Sequence, residues 1–193
     1  MTLRQIALAT AICCFLITSA YAQAVTSGQL FAGSLLNIKA PESEGWKVIS
    51  STSTVMAFGH RVESTNESYV AMVSFFPLPE TKDHEEFVAL IKQAVEKDTS
   101  TDRFKTISTN YEYTDQRGYP CVKFDVVTED TKAQTSFFGH ENLVLQIYSL
   151  YCRHPKHPES GFVISFSHRG STLDEALNVP AEAFIEGVQV PEK

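Results

Sequence analysis

Two segments of the chain are largely apolar on both parities of an extended backbone. In residues 69–76, Tyr69, Ala71, Val73 and Phe75 alternate with Val70, Met72 and Phe76. Residues 143–152, from Leu143 to Cys152, read the same way. A strand sends successive side chains to opposite faces of its sheet. A strand apolar on both sides therefore needs cover on both faces and lies centrally. Whatever else the chain does, it has to sandwich a sheet between two layers.

The rest of the chain supplies neighbours and cover. Phe87, Leu90, Ile91, Ala94 and Val95 form one apolar stripe at helical spacing. Thr81 or Asp83 can cap that helix, Glu85 and Glu86 suit its first turn, and it should end near Thr99. Residues 180–187 predict a short final helix with Pro180 in the first turn, Ala183 and Phe184 inward and Gly187 as the stop. Residues 106–113 alternate cleanly and predict a strand with one wet face, nearer an edge. Residues 121–128 turn Val122, Phe124 and Val126 inward, and residues 162–168 return as a strand, with residues 153–161 read as a turn. Residues 46–50 and 54–60 predict two earlier strands, and Trp46, the only tryptophan, covers one end of the core. Short turns between sequential strands imply antiparallel pairing. The expected fold class is α+β: a largely antiparallel sheet covered by helices on both faces, an α/β/α sandwich, in one domain over residues 23–193.

Residues 1–22 read as a secretory signal. Arg4 precedes an apolar run over residues 6–17, and Ala20 and Ala22 supply the small residues of a cleavage site. A retained anchor is the alternative, but a span needs about 20 apolar residues, and Thr18 and Ser19 interrupt this one. No small residue precedes Cys13 or Cys14, which disfavours a lipid anchor. Cleavage after Ala22 would move the net charge from −7 to −8, since Arg4 is the only charge removed. An acidic chain has no cationic excess to meet phosphate, so no nucleic acid is expected as a partner.

Cleavage also leaves two cysteines, Cys121 and Cys152. In an exported chain such a pair favours a disulfide over two buried thiols. The pairing conflicts with one reading of the sequence. If residues 133–138 form a full strand, a regular meander puts the cysteines roughly 25–30 Å apart at strand rise, beyond the reach of a bridge. The bridge is the reading kept.

Of six histidines, three raise chemistry. His154 and His157 lie close to Cys152, but two prolines in the turn hinder convergence on a metal, and no CxxC or HExxH accompanies them. They stand as the metal candidates, and no cofactor is expected. His168 prolongs the apolar parity of Phe162, Ile164 and Phe166, and is the candidate general base, with Ser165, Ser167 or Ser171 as its hydroxyl partner. No Gly-x-Ser-x-Gly elbow is present, and the balance is against an enzyme.

The order of elements, with Gly45-Trp46 before antiparallel strands, an amphipathic helix over residues 83–98, the Cys121 and Leu143-to-Cys152 strands and a short last helix, resembles the PsbP/Mog1-like superfamily. The runs Leu150-Tyr151-Cys152-Arg153-His154-Pro155 and Ser167-His168-Arg169-Gly170 also look like exported proteobacterial proteins of that type. The resemblance implies a compact sandwich used for protein binding or assembly, without a shared active site, and it maps no functional residue onto this chain. The expectation is a periplasmic, non-catalytic protein that binds or helps assemble envelope proteins and keeps no membrane anchor after cleavage. The alternatives are a hydrolase built on His168, and a small-ligand binder with Phe75, Phe166 and Tyr148 lining a pocket.

Overall fold

The computed structural model describes residues 23–63, 65–99, 102–133 and 142–192. The proposed cleavage site at Ala20 and Ala22 lies outside them. So does most of the tentative strand at 133–138, of which only Ala133 is described, buried and outside any strand.

Eleven strands and two helices follow one another along the described residues. Three short strands, β1 (Gln23–Ala24), β2 (Leu30–Phe31) and β3 (Asn37–Lys39), open the domain. Then come β4 (Lys47–Ser51), β5 (Val55–Arg61), β6 (Ser68–Pro77) and helix α1 (His84–Asp98). The long strands β7 (Phe104–Thr114), β8 (Cys121–Asp130), β9 (Leu143–His154) and β10 (His157–Gly170) follow. Helix α2 (Asn178–Glu186) and β11 (Val188–Gln189) end it. The main sheet runs β1-β4-β5-β6-β10-β9-β8-β7, and a small sheet runs β11-β3-β2. Every pairing is antiparallel.

The two doubly apolar segments are interior strands, β6 between β5 and β10, and β9 between β8 and β10. Their two faces are covered differently. On the packed face, α2 and the small sheet close over Phe58, Phe162, Ile164 and Phe166, all at most 1% exposed. Phe184 of α2 meets Phe58 edge-on at 6.3 Å and Phe166 at 6.2 Å. Arg117 secures this layer by donating from Nη1 to Ile185 O at 2.9 Å and from Nη2 to Val188 O. Trp46 is buried at one end of the same core, and its Nε1 donates to Ser43 Oγ at 2.8 Å. Before it, Gly45 takes a φ of 88°, and a Cβ there would lie 2.8 Å from the His60 ring.

On the other face, α1 covers only one end of the sheet. Phe87 and Ile91 pack with Leu78 and Val122. Asp83 caps the helix, accepting from Glu86 N at 2.8 Å. The expectation of helices covering both faces is thus met only in part. A helix of 15 residues is roughly 22 Å long and cannot roof eight strands, so the described residues leave much of this face uncovered.

A second difference lies at residues 153–161. The expected turn is only Pro155-Lys156, flanked by the paired residues His154 and His157. A register shift between His157 and Gly161 absorbs Pro158 inside the strand.

Candidate functional site

The open face is built rung by rung from cross-strand register. Tyr111, Phe124, Ser149, Ser165 and Met72 form one rung across β7, β8, β9, β10 and β6. Thr109, Val126 and Ile147 form the next, and Thr106, Thr128 and Leu145 the one after. These rungs floor a cavity of about 880 Å³, with Ala94, Val95 and Thr99 of the α1 region along its rim. Met72, Val126, Leu145 and Ile147 remain only half-buried there. Hydroxyls are frequent among the lining residues, with Ser74, Thr106, Thr109 and Tyr111 beside the apolar ones, and Glu96 adds a carboxylate. Ser149 Oγ donates to Ser165 Oγ at 3.0 Å. Thr128 lines the cavity at 4% exposure, and its Oγ1 has no hydrogen-bond partner among the described residues.

A charged cluster lies just past the Thr128 rung, where Asp130 pairs with the lining residue Phe104. Asp130, the last residue of β8, has a fully buried side chain. Arg103 donates to it from Nε and Nη2, both at 2.9 Å, and Arg169 reaches across from β10 at 2.5 Å. Hydrogen bonds from Arg103 hold the Asp130 carboxyl below the usual carboxylate range, aided by the charge of Arg169 and opposed by burial. Two guanidiniums face one carboxylate. Arg169 Nε is buried without a partner among the described residues.

The residues singled out from sequence lie elsewhere. His168 is 1% exposed on the packed face. Its Nδ1 lies 3.1 Å from Gln146 Oε1. Gln146 is itself oriented by Asp174, whose N–H donates to Oε1 at 2.6 Å while Gln146 Nε2 donates to Asp174 O at 3.2 Å. Oε1 is therefore the acceptor, and the His168 proton sits on Nδ1. Tyr69 stacks on the imidazole at 4.8 Å and donates to Asp174 Oδ2 at 3.2 Å. Burial, and then the negative charge of Asp174, push the Tyr69 hydroxyl up to about 12. Burial also holds the His168 pKa below the ordinary histidine value. Ser165 and Ser167 alternate onto the opposite face, and Ser171 is exposed. None of the three makes a hydrogen bond with His168, whose Nε2 is buried without a partner among the described residues; through Gln146 the histidine steadies the segment leading to α2.

His154, unlike His168, is held at both ring nitrogens. Lys156 N–H donates to Nδ1 at 3.2 Å, and Nε2 lies 3.2 Å from Leu35 O. His157 is exposed, with Glu159 at 3.8 Å. No lone pair of His154 is left for a metal. Cys121 and Cys152 pair directly across β8 and β9, and a disulfide joins them with Cα atoms 4.1 Å apart. The strands on either side of residues 131–142 run antiparallel, which places both cysteines at one end. Phe75, Phe166 and Tyr148, taken from sequence as possible pocket residues, pack in or against the core of the packed face. The cavity lies on the opposite side of the sheet. Its α1 roof was legible in the stripe of Ile91, Ala94 and Val95, but the Asp130 cluster was not, because Arg103, Asp130 and Arg169 converge only through cross-strand register.

The geometry defines an antiparallel α+β protein with one packed and one open sheet face. The structure is similar to that of the Ran-binding protein Mog1p from Saccharomyces cerevisiae, at 14% identity over 85% of this chain and 96% of that one, with a TM-score of 0.44. That likeness transfers neither residues nor partners to this chain. No protein-family model and no curated protein matches the chain.

Proposed function

We propose that the chain is an exported, non-catalytic binding protein that serves other components of a bacterial envelope, and that it binds them on the open sheet face beside α1. The observation that carries this reading is the trough of about 880 Å³, a size typical of binding sites. Half-buried apolar side chains floor it where a completed sandwich would have buried them. Export is supported by the leader-like residues 1–22 and by a disulfide, a bond that persists in oxidising compartments. The absence of catalysis is supported by the commitment of His168 to Gln146.

Site-specific photo-crosslinking in the native envelope tests the binding face. A photoreactive residue at Met72 or Ile147 should give adducts with envelope components. The same residue at Val179, exposed on α2, should give none. Equal labelling at all three positions, or none at any, would overturn the reading. Fractionation with N-terminal sequencing tests export: the mature protein should begin at Gln23 outside the cytoplasm, and a cytoplasmic chain retaining Met1 would sink that half of it.

A further inference from the structure

We propose that the trough takes a single-chain anionic amphiphile, a long-chain fatty acid as its carboxylate, with the hydrocarbon along the sheet floor and the headgroup at the Arg169 end. This deepens the binding reading above and rests on it.

Four features converge on that ligand class. The first is length. From Tyr151 to Leu145 along β9 the floor runs roughly 20 Å at strand rise, which an extended hydrocarbon matches with about sixteen carbons at bonded-carbon spacing. Both residues line the cavity. The second is the nature of the floor. It is the face of a hydrogen-bonded sheet, so its backbone donors and acceptors are already committed within the ladders. A peptide laid there would find no backbone partners for its own N–H and C=O groups, and burying them unpaired is costly. A hydrocarbon brings no such groups.

The third feature is the unpartnered hydroxyl. Thr128 Oγ1 is buried at the cavity wall with no partner among the described residues. A buried polar atom of this kind calls for a ligand group or an ordered water. The fourth is charge. Thr128 pairs with Leu145, and Leu145 with Arg169, so hydroxyl and guanidinium share one rung of the same face. The Arg169 guanidinium spans β9 to reach Asp130, two residues beyond Thr128 on β8. Arg103 and Arg169 against Asp130 leave one positive charge at this end, and the nearby Lys132 is paired with Asp102 at 2.8 Å. A carboxylate at this end of the floor can accept from Arg169, the pairing that guanidinium geometry favours.

Fluorescence titration of the purified protein with cis-parinaric acid, followed by displacement with palmitate or with hexadecanol, tests the assignment. Palmitate should bind saturably at one site per chain. Hexadecanol, of the same length but uncharged, should bind about tenfold or more weakly, the scale of a lost charge-assisted hydrogen bond. Arg169→Met should weaken palmitate by a similar factor and leave hexadecanol unchanged. Ile147→Trp should block both ligands by filling the floor. If that variant fails to fold, Arg169→Met and the hexadecanol comparison still decide. Absence of saturable palmitate binding would overturn the proposal, as would equal affinity for the two ligands or indifference to Arg169→Met. Crosslinks at Met72 and Ile147 without palmitate binding would leave the binding face standing and remove the amphiphile. A protein adduct there as the sole product would do the same.

Discussion

At the scale of single residues, the buried polar groups act mainly through pH. The packed face holds His168 neutral, because burial lowers its pKa while the charges of Asp174 and Glu67 oppose that only in part. Below about pH 6.5 the unfolded chain therefore binds more protons than the folded one. The stability His168 contributes is complete above that pH and is lost as pH falls towards its depressed folded value. Melting curves between pH 7 and 5 should show this decline in the native protein. His168→Asn, which keeps a donor for Gln146 but cannot titrate, should remove it. An unchanged slope in the variant would mean that another group controls it. Asp130 acts in a lower window. Its carboxyl is held below the usual range, so its contribution is present above about pH 4 and lost as acid protonates it. Asp130→Asn should lower the unfolding free energy at pH 7 by about 1.5–3 kcal/mol, the scale of hydrogen bonds to charged groups. Urea titration would measure it.

At the scale of elements, the helix start offers a clean test. Asp83 and Glu86 bracket the first turn of α1, with Glu86 Oε2 accepting from Lys82 N at 2.6 Å. Asp83→Ala should cost about 1 kcal/mol. Because α1 packs on one end of the open face while β9 is paired on both sides within the sheet, hydrogen exchange in α1 should accelerate more than in β9. Uniform acceleration would show that helix and sheet open together. This cap was legible from sequence, as were the apolar stripe behind it and the interior positions of β6 and β9, because each rests on local periodicity. The edge position of β7 was legible for the same reason, but its clean alternation was not kept, because a register shift between Thr106 and Ser108 leaves Ile107 exposed. The 153–161 segment was misread because Pro155 and Pro158 look like breakers wherever they stand, and only the register shows Pro158 taken up in a bulge. Incomplete roofing of the open face was also hidden. Alternation says that a side chain leaves the sheet, but not whether another layer meets it. The Asp130 cluster joins residues 103, 130 and 169, a convergence that only strand order creates.

At the scale of the whole molecule, the asymmetry between faces sets where stability resides. The packed face carries the aromatic core, while the open face leaves apolar side chains such as Met72, Val126 and Ile147 only half-buried. The disulfide bears on this balance because it joins β8 and β9, two strands that serve both faces. It links residues separated by 31 positions, a closure that on chain-entropy grounds restricts the unfolded ensemble by about 3–4 kcal/mol. Replacing Cys121 and Cys152 together with alanine should lower the unfolding free energy by up to that amount. The urea m-value should rise, since the released chain exposes more surface when unfolded. Both cysteines belong to the core of the packed face, on the side of the sheet away from the cavity. The folded double variant should therefore keep its affinity for any ligand of the trough. Urea titration in parallel with ligand titration separates the two quantities. A loss of affinity at denaturant-free, fully folded conditions would show that the bridge holds the floor of the trough in register. A loss of stability alone is the outcome this architecture predicts.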